Sequence, residues 1–331
     1  MINITHVDDD GKCAGAIVLF EFCIVPQQYS YIYYNYKTPI ELDFDRLKND
    51  PDKRVFITDV SLCEHVIDAI HTFLRYGWEV YHFDHHTATM RHPKREQFQN
   101  MDHVHTFYTE GICGAMLTWL YACMTGDERK NPYGVDYEFS NGHTHVMINR
   151  REYQIPMALR YIDDNDVWRH ENDETKYFCM GFSVYTHKGP DAPLPEDPNK
   201  KLWEKLLYGT RLTVELVNKG RILYEYQESQ NERLCKPAFE SYTLDEEHVC
   251  LCLNSIFGNS RIFGDKFYTY DFVCKFGFDG NEWVYTLYSK EGSQIDCCEI
   301  ATKFGGGGHK HAAGFRTKEM ILVPYTKPRE G

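Results

Sequence analysis

Four short strings in this chain gather carboxylates and imidazoles, and three of them follow segments that read as β-strands. The first is Thr5-His6-Val7-Asp8-Asp9-Asp10-Gly11. Side chains alternate along extended backbone, so His6, Asp8 and Asp10 are expected to share one face. One imidazole and two carboxylates converging at a strand end suit a hard or borderline divalent ion. The plainer alternative is an acidic turn in which Asp10 caps the next helix. The second is Asp59, closing the apolar run Val55-Phe56-Ile57-Thr58; alone it reads as a cap for the helix expected from Glu64. The third, His82-Phe83-Asp84-His85-His86, sets a carboxylate beside imidazoles, where Asp84 can fix a ring tautomer and raise its basicity. A surface pair in a chain with 16 His is the alternative. The fourth, Asp163-Asp164-Asn165-Asp166-Val167-Trp168, concentrates carboxylates that repel one another unless cations neutralise them. Its alternative is a solvated acidic loop.

Together, His6, Asp8, Asp10, Asp59, His85 and Asp164 offer enough ligands for two divalent ions. Ions sharing a carboxylate sit roughly 3.5–4 Å apart and can supply a hydroxide for attack on a phosphate ester. A fifth string, Phe304-Gly305-Gly306-Gly307-Gly308-His309-Lys310-His311-Ala312-Ala313-Gly314-Phe315, reads as a phosphate-gripping loop. Its glycines let backbone N–H groups approach an anion, and His309 or Lys310 adds charge-assisted bonds. Ala312, Ala313 and Gly314 are small enough for tight packing beneath it.

The elements that must position these residues alternate in type over the first 125 positions. Strands are expected at Asn3–Val7, Tyr29–Tyr36, Arg54–Val60 and Glu79–Phe83, and helices at Lys12–Val25, Ile40–Asn49, Glu64–Tyr76 and Gly111–Met124. Such alternation implies crossover connections and a mainly parallel sheet, with carboxyl ends of neighbouring strands meeting at one edge. Residues 127–154 read as polar and irregular. A short helix is expected near Pro156–Ile162, and a boundary loop over His187–Lys200, which holds four prolines. Leu202–Arg233 reads as one long helix, or two broken near Gly220. Strands at Phe267–Phe276 and Trp283–Tyr288 and a helix near Cys298–Lys303 follow.

The 331 residues carry 36 Lys+Arg against 49 Asp+Glu, a net charge of −13 with His neutral. That argues against a protein wrapping long duplex nucleic acid, whose affinity comes from many Lys/Arg–phosphate contacts. No secretory signal is read at the amino terminus, and the most apolar run, Ala14 to Val25, is too short to span a bilayer. Twelve Cys without a Cys-x-x-Cys pair point to a reduced, cytoplasmic chain rather than a zinc knuckle.

In order along the chain, His6-x-Asp8-x-Asp10-Gly11, Asp59, Asp84-His85-His86 and Asp164 resemble the four motifs of the DHH phosphoesterase superfamily. Gly306-Gly307-Gly308-His309-x-x-Ala312-Ala313-Gly314 resembles the signature of its associated C-terminal domain. The likeness covers nearly the whole chain. Asp164-Asn165-Asp166-Val167-Trp168 and Leu287-Tyr288-Ser289 resemble the nanoRNase B-like oligoribonuclease branch. The resemblance implies one manganese held by His6, Asp8 and Asp59. It implies a second held by Asp10, Asp59, His85 and Asp164, with Asp59 bridging. It further implies His86 on the scissile phosphate, with Asp84 and Asp59 completing the catalytic group. Substrate would be met by Gly306, Gly307, Gly308 and His309, and by Tyr288, which stands where many relatives carry Arg. Lys290 or Lys303 could supply the contact that Arg makes. Within the acidic run, the spacing to Trp168 favours Asp164 over Asp163 and Asp166.

The expected architecture is α/β: a parallel-sheet catalytic domain over 1–190, a linker and bridging helix over 191–235, and a smaller substrate-binding α/β domain over 236–331. A cleft is expected between the two domains. The expected activity is metal-dependent hydrolysis of short oligoribonucleotides to mononucleotides, using two divalent ions, manganese ahead of magnesium because of the imidazole ligands. Alternatives are hydrolysis of cyclic or linear dinucleotides or pAp, an exopolyphosphatase or pyrophosphatase, and a non-catalytic nucleotide-binding regulator. Expected partners are short RNA or a small nucleotide, with no long duplex and no membrane. The 127–150 segment is open to shaping the cleft or pairing two copies.

Overall fold

The computed structural model describes residues 1–23, 29–186 and 198–325. The chain divides into two compact units, Met1–Leu223 and Tyr224–Gly331. The first opens with β1 (Ile2–His6), α1 (Asp9–Phe22), β2 (Ser30–Tyr34), α2 (Phe44–Asn49), β3 (Arg54–Thr58), α3 (Glu64–Arg75) and β4 (Glu79–Asp84). Two short helices follow, α4 (Thr87–Met90) and α5 (Arg95–Gln99), then β5 (Val104–Tyr108), α6 (Gly114–Cys123) and α7 (Gly126–Lys130). Strands β1 to β5 form one sheet in the order β2-β1-β3-β4-β5, and every pair in it is parallel. The expected α/β class with a parallel sheet is therefore what the chain adopts.

Alternation along the strands builds a core on each face. Phe56, Phe83 and Phe107 point toward α1 and α6, where they join Ile17, Met116, Leu117 and Leu120. Ile4, Val55, Ile57 and Val80 point the other way, against Val66, Ile70 and Phe73 of α3. Helices on both faces are the reason these strands read as near-continuous apolar runs. Gly77 ends α3 in the left-handed conformation (φ 74°) that glycine adopts freely.

Residues 127–154 depart from the expected irregular segment. They contain β6 (Tyr137–Phe139), β7 (His145–Ile148) and β8 (Arg151–Gln154), an antiparallel three-stranded sheet whose strands are too short to announce themselves by periodicity. Helices α8 (Met157–Asp166), α9 (Thr175–Thr186), α10 (Pro198–Leu207) and α11 (Arg211–Cys235) follow. The break in the expected long helix falls between α10 and α11, not at Gly220. Gly220 is needed for packing instead: a Cβ there would lie 1.7 Å from the Tyr177 carbonyl oxygen, and one at Gly181 would lie 2.1 Å from that of Leu216. These two glycines let α9 and α11 touch backbone to backbone. The proline-rich 187–197 segment and residues 24–25 of the expected first helix lie outside the described residues.

The division between the units falls inside α11. The second unit contains β9 (Phe239–Ser241), β10 (Cys250–Asn254), α12 (Lys266–Thr269), β11 (Phe272–Phe278), β12 (Trp283–Ser289), α13 (Cys297–Lys303), β13 (Gly307–His309) and β14 (Ala312–Thr317). Its six-stranded mixed sheet runs β13-β14-β12-β11-β10-β9, and α13 covers a core of Phe272, Phe276, Tyr285, Leu287 and Phe315. Among the described residues, no helix is long and apolar enough to cross a membrane.

Candidate metal centre

In the order β2-β1-β3-β4-β5 the winding reverses between β1 and β3, and in open α/β sheets the carboxyl ends of the strands at such a point frame a binding crevice. His6 is the last residue of β1, Asp59 follows β3, and Asp84 ends β4 just before His85 and His86. The first motif reaches this edge by a route other than the extended one. β1 stops at His6, and Asp8, not Asp10, is the N-cap of α1, its carboxylate accepting from Gly11 N at 2.9 Å. The other Asp8 oxygen meets His6 Nδ1 at 2.5 Å. Gly11 has to be glycine, since a Cβ there would lie 2.4 Å from the His6 carbonyl oxygen.

Asp10 lies in the first turn of the helix, buried, and its two oxygens accept from Gly114 N and Ala115 N at 2.7 Å each. A carboxylate is well placed there, where the first amides of α6 have no partner within their own helix. Gly114 is fixed by the same crowding: a Cβ would stand 2.6 Å from that of Asp59.

Asp59 is the hub. It is 1 % exposed, holds a left-handed backbone (φ 58°) and anchors its N–H on the Phe83 carbonyl at 2.9 Å. Among the described residues, both of its carboxylate oxygens are buried without a hydrogen-bond partner. His85 Nε2 lies 3.2 Å from Oδ1, His86 Nδ1 3.9 Å from Oδ1, and His6 Nδ1 3.9 Å from Oδ2. His85 Nε2 also lies 3.4 Å from Asp166 Oδ2 and 3.8 Å from Asp10 Oδ2. Three sets of potential ligand atoms result, each within 4.8 Å: His6, Asp8 and Asp59; Asp59, His85 and His86; Asp10, His85 and Asp166. Asp59 and His85 link the three sets into one cluster.

Charge makes this cluster uncomfortable without cations. Burial, then the charges of Asp59 and Asp166, pushes the Asp10 carboxyl well above the usual carboxylate range. Burial and the charges of Asp8 and Asp166 do the same to Asp59, and burial raises Asp166. Desolvation works against Asp8 as well, but His6 outweighs it and holds that carboxyl low. Buried carboxylates with unused lone pairs, beside imidazoles, are what a divalent ion requires. The residues present fit such a group.

His86 is oriented by Asp84, whose Oδ1 meets Nδ1 at 2.7 Å. Burial disfavours the charged ring, yet the Asp84 carboxylate more than offsets it and His86 is raised above an ordinary histidine. His82, two residues before Asp84, is a core residue satisfied by the Val60 carbonyl (2.7 Å) and Tyr108 OH (2.8 Å).

The fourth motif needs a correction. Asp164 does not join the cluster: its carboxylate accepts from Glu171 N, Asn172 N and Thr175 Oγ1. Asp163 receives Cys113 N and Arg169. Asp166 is the acid that reaches His85. On a helix, positions 163 and 166 lie only about 60° apart, whereas 164 is turned away. A residue that sequence reasoning missed altogether is Tyr36, whose ring lies 5.7 Å from His6 and whose hydroxyl accepts from Ser61 N at 2.7 Å.

In the second unit, the glycine run is a turn and an edge strand rather than an open loop. Gly307–His309 pair with Ala312–Gly314 as β13. Gly306 and Gly308 are forced by close approach: a Cβ would stand 2.2 Å from the Gly314 carbonyl oxygen in the first case and 2.6 Å from Ala313 Cα in the second. His309 and Lys310 are exposed. Tyr288 faces Ala312 across the ladder and packs partly buried beside Leu251, Leu253 and Val273. Lys290 Nζ donates to the Tyr268 carbonyl.

No family model matches the chain. Among solved structures, the DHH domain of a member of a ribosomal protein family aligns over 95 % of this chain and 81 % of that one, with 14 % identity and a TM-score of 0.50. The chain has the DHH fold. The pGpG-specific phosphodiesterase PggH of Vibrio cholerae aligns over 96 % of this chain and 93 % of that one, with 13 % identity and a TM-score of 0.49. A curated relative, the uncharacterized protein R106 of Acanthamoeba polyphaga mimivirus, is 26 % identical over 169 residues. That match takes in 48 % of this chain but only 37 % of the relative's length.

Proposed function

We propose that this chain is a metal-dependent phosphodiesterase that hydrolyses short oligoribonucleotides to mononucleotides. The observation that carries the reading is Asp59, whose buried oxygens have no hydrogen-bond partner among the described residues and stand between His6 and Asp8 on one side and His85 on the other. His6, Asp8 and Asp59 would hold one divalent ion, and Asp10, Asp59, His85 and Asp166 a second. Bound there, such ions supply neutralisation of phosphate oxygens and a water of lowered pKa. The imidazole donors favour manganese over magnesium.

The chain's own groups do the rest. Asp84 occupies Nδ1 of His86, which leaves Nε2 for a phosphate or leaving-group oxygen. Asp10, tied to the first amides of α6, and Asp8, tied to Gly11 N, are held in place before any substrate arrives. The DHH fold and the motif resemblance support a phosphoester substrate. A net charge of −13 supports a short one, since each further phosphate would need its own cation. Gly307, Gly308 and His309 are exposed, and with Gly306 they are assigned to phosphate binding through backbone amides and an imidazole. The twelve free cysteines support a reducing, cytoplasmic setting.

The test is a length series: pure protein with Mn²⁺ and 5′-labelled RNAs from dinucleotide to long strand, beside pAp, cyclic dinucleotides and polyphosphate. The fastest turnover is expected on the shortest RNAs, ending in mononucleotides. Preference for one of the other compounds would replace the substrate. Inactivity on all of them with metal bound would favour a nucleotide-binding regulator.

A further inference from the structure

The turn that follows α8 adopts a strained backbone and leaves its largest side chain in water. Trp168 (φ 55°) and His170 (φ 51°) both occupy the left-handed region, which for a bulky side chain is an unfavourable outlier. Burial does not compensate. Trp168 is 77 % exposed, and His170 meets its ring edge-to-face at 5.4 Å between centroids. An indole held against its conformational preference and left in water serves neither the core nor the turn.

What imposes the conformation lies beneath it. The Asp164 carbonyl accepts from Arg169 N (3.0 Å) and His170 N (3.4 Å). Its carboxylate holds Glu171 N (2.9 Å), Asn172 N (3.3 Å) and Thr175 Oγ1. Arg169 is committed to the Gly111 carbonyl (2.8 Å) and to Asp163. The arginine of this turn is thus already engaged by Asp163. What the turn offers is a ring. That ring belongs to the second residue after Asp166, whose carboxylate is 3.4 Å from His85 Nε2. Consecutive Cα atoms are 3.8 Å apart, so the Cα of Trp168 lies within about 7.6 Å of that of Asp166.

We propose that Trp168 is the platform on which a nucleobase of the substrate stacks, and that the class of substrate is therefore nucleotidic rather than polyphosphate. This rests on the phosphodiesterase reading of the Asp59 centre. A base is separated from its phosphate by one sugar, and Trp168 follows the cluster residue Asp166 by only two positions. Stacking is indifferent to which base is presented and needs no cation, which suits an acidic protein. Asp164 acts as a positioning residue, holding the turn that displays the ring.

The experiment compares wild type, Trp168→Ala and Trp168→Phe on a ribodinucleotide and on the same sugar–phosphate backbone without bases. A stack is worth about 1–3 kcal/mol per base, so Trp168→Ala is expected to raise KM on the dinucleotide about 5- to 150-fold with kcat little changed. Trp168→Phe should recover most of that loss, and the abasic compound should not distinguish the three proteins. An unchanged KM on the dinucleotide, or an equal rise on the abasic compound, would overturn the assignment. Binding is followed in parallel, without turnover, by quenching of tryptophan fluorescence with the dinucleotide. Quenching in wild type that is lost in Trp168→Phe supports the platform even if no phosphodiester is cleaved, an outcome that would remove only the phosphodiesterase reading. No such quenching removes the platform itself.

Discussion

The Asp10 carboxylate bonds the backbone N–H of Gly114, 104 residues further along the chain, at 2.7 Å. The contact ties the first turn of α1 to the first turn of α6 and brings α6 so close to Asp59 that only glycine fits at position 114. Gly114→Ala should therefore displace Asp59 or the helix start. The expected cost is about 1–3 kcal/mol, as for other overpacked sites, together with weaker Mn²⁺ binding. Thermal unfolding with and without Mn²⁺ checks both; a variant that keeps wild-type stability and metal affinity would show that the close approach has no consequence.

Asp59 is raised above the ordinary carboxylate value in the folded protein, first by burial and then by Asp8 and Asp166. An acid whose folded pKa is raised lowers stability as pH climbs: the loss begins at the unfolded-state value and is complete above the folded one. Metal-free protein should lose the Asp59 contribution as pH rises from mild acid toward neutrality. Asp59→Asn should remove that slope and melt higher than wild type at neutral pH in chelator, while Mn²⁺ no longer stabilises it. Asp10, whose carboxyl the Asp59 charge also raises, shifts with it, so the difference between the two melting curves reports Asp59 together with its coupling to Asp10. Activity should fall by at least about 10²–10³-fold, the scale on which a key electrostatic group acts.

Much of this centre is legible in the sequence because strand ends are legible. His6, Asp59 and the Asp84-His85-His86 string each close an apolar run, and parallel strands deliver their ends to one edge. The fourth motif is harder. Three acids in four residues all satisfy a spacing rule, and choosing among them requires the rotation of α8, which tertiary contacts set. Asp166 emerges only when Asp163 is seen to hold Cys113 N and Asp164 to hold the following turn. β5 is missed because His105 and Thr106 dilute its apolar pattern, although Val104, Phe107 and Tyr108 are buried. The need for glycine at 114 depends on a neighbour 55 positions away in the chain, and no local pattern encodes it.

Asp164 and Asp166 can be separated by what each loses. Asp166→Asn keeps the helix and its packing, and should lower kcat and Mn²⁺ affinity while the melting temperature in chelator holds or rises. Asp164→Ala strips the partners of two backbone amides and of Thr175. Hydrogen bonds to a charged group contribute about 1.5–3 kcal/mol, so this variant should melt several degrees lower, at about 2–4 °C per kcal/mol. The reverse pattern, with Asp164→Ala inactive but fully stable, would restore Asp164 as the ligand.

The second unit makes its own prediction through His309. It sits exposed on β13, an edge strand among the described residues, so among them the outward amides of Gly307–His309 carry no ladder bonds. An imidazole beside free amides can bind an anion without belonging to the cluster around Asp59. His309→Ala should therefore raise KM for a dinucleotide and leave kcat at substrate saturation nearly unchanged, the signature of lost uniform binding. Because the side chain is exposed, the substitution should not move the melting temperature, which rules out unfolding as the cause of any rise. A fall in kcat with KM unchanged would instead give His309 a part in the chemical step. No change in either would take the glycine strand out of substrate binding.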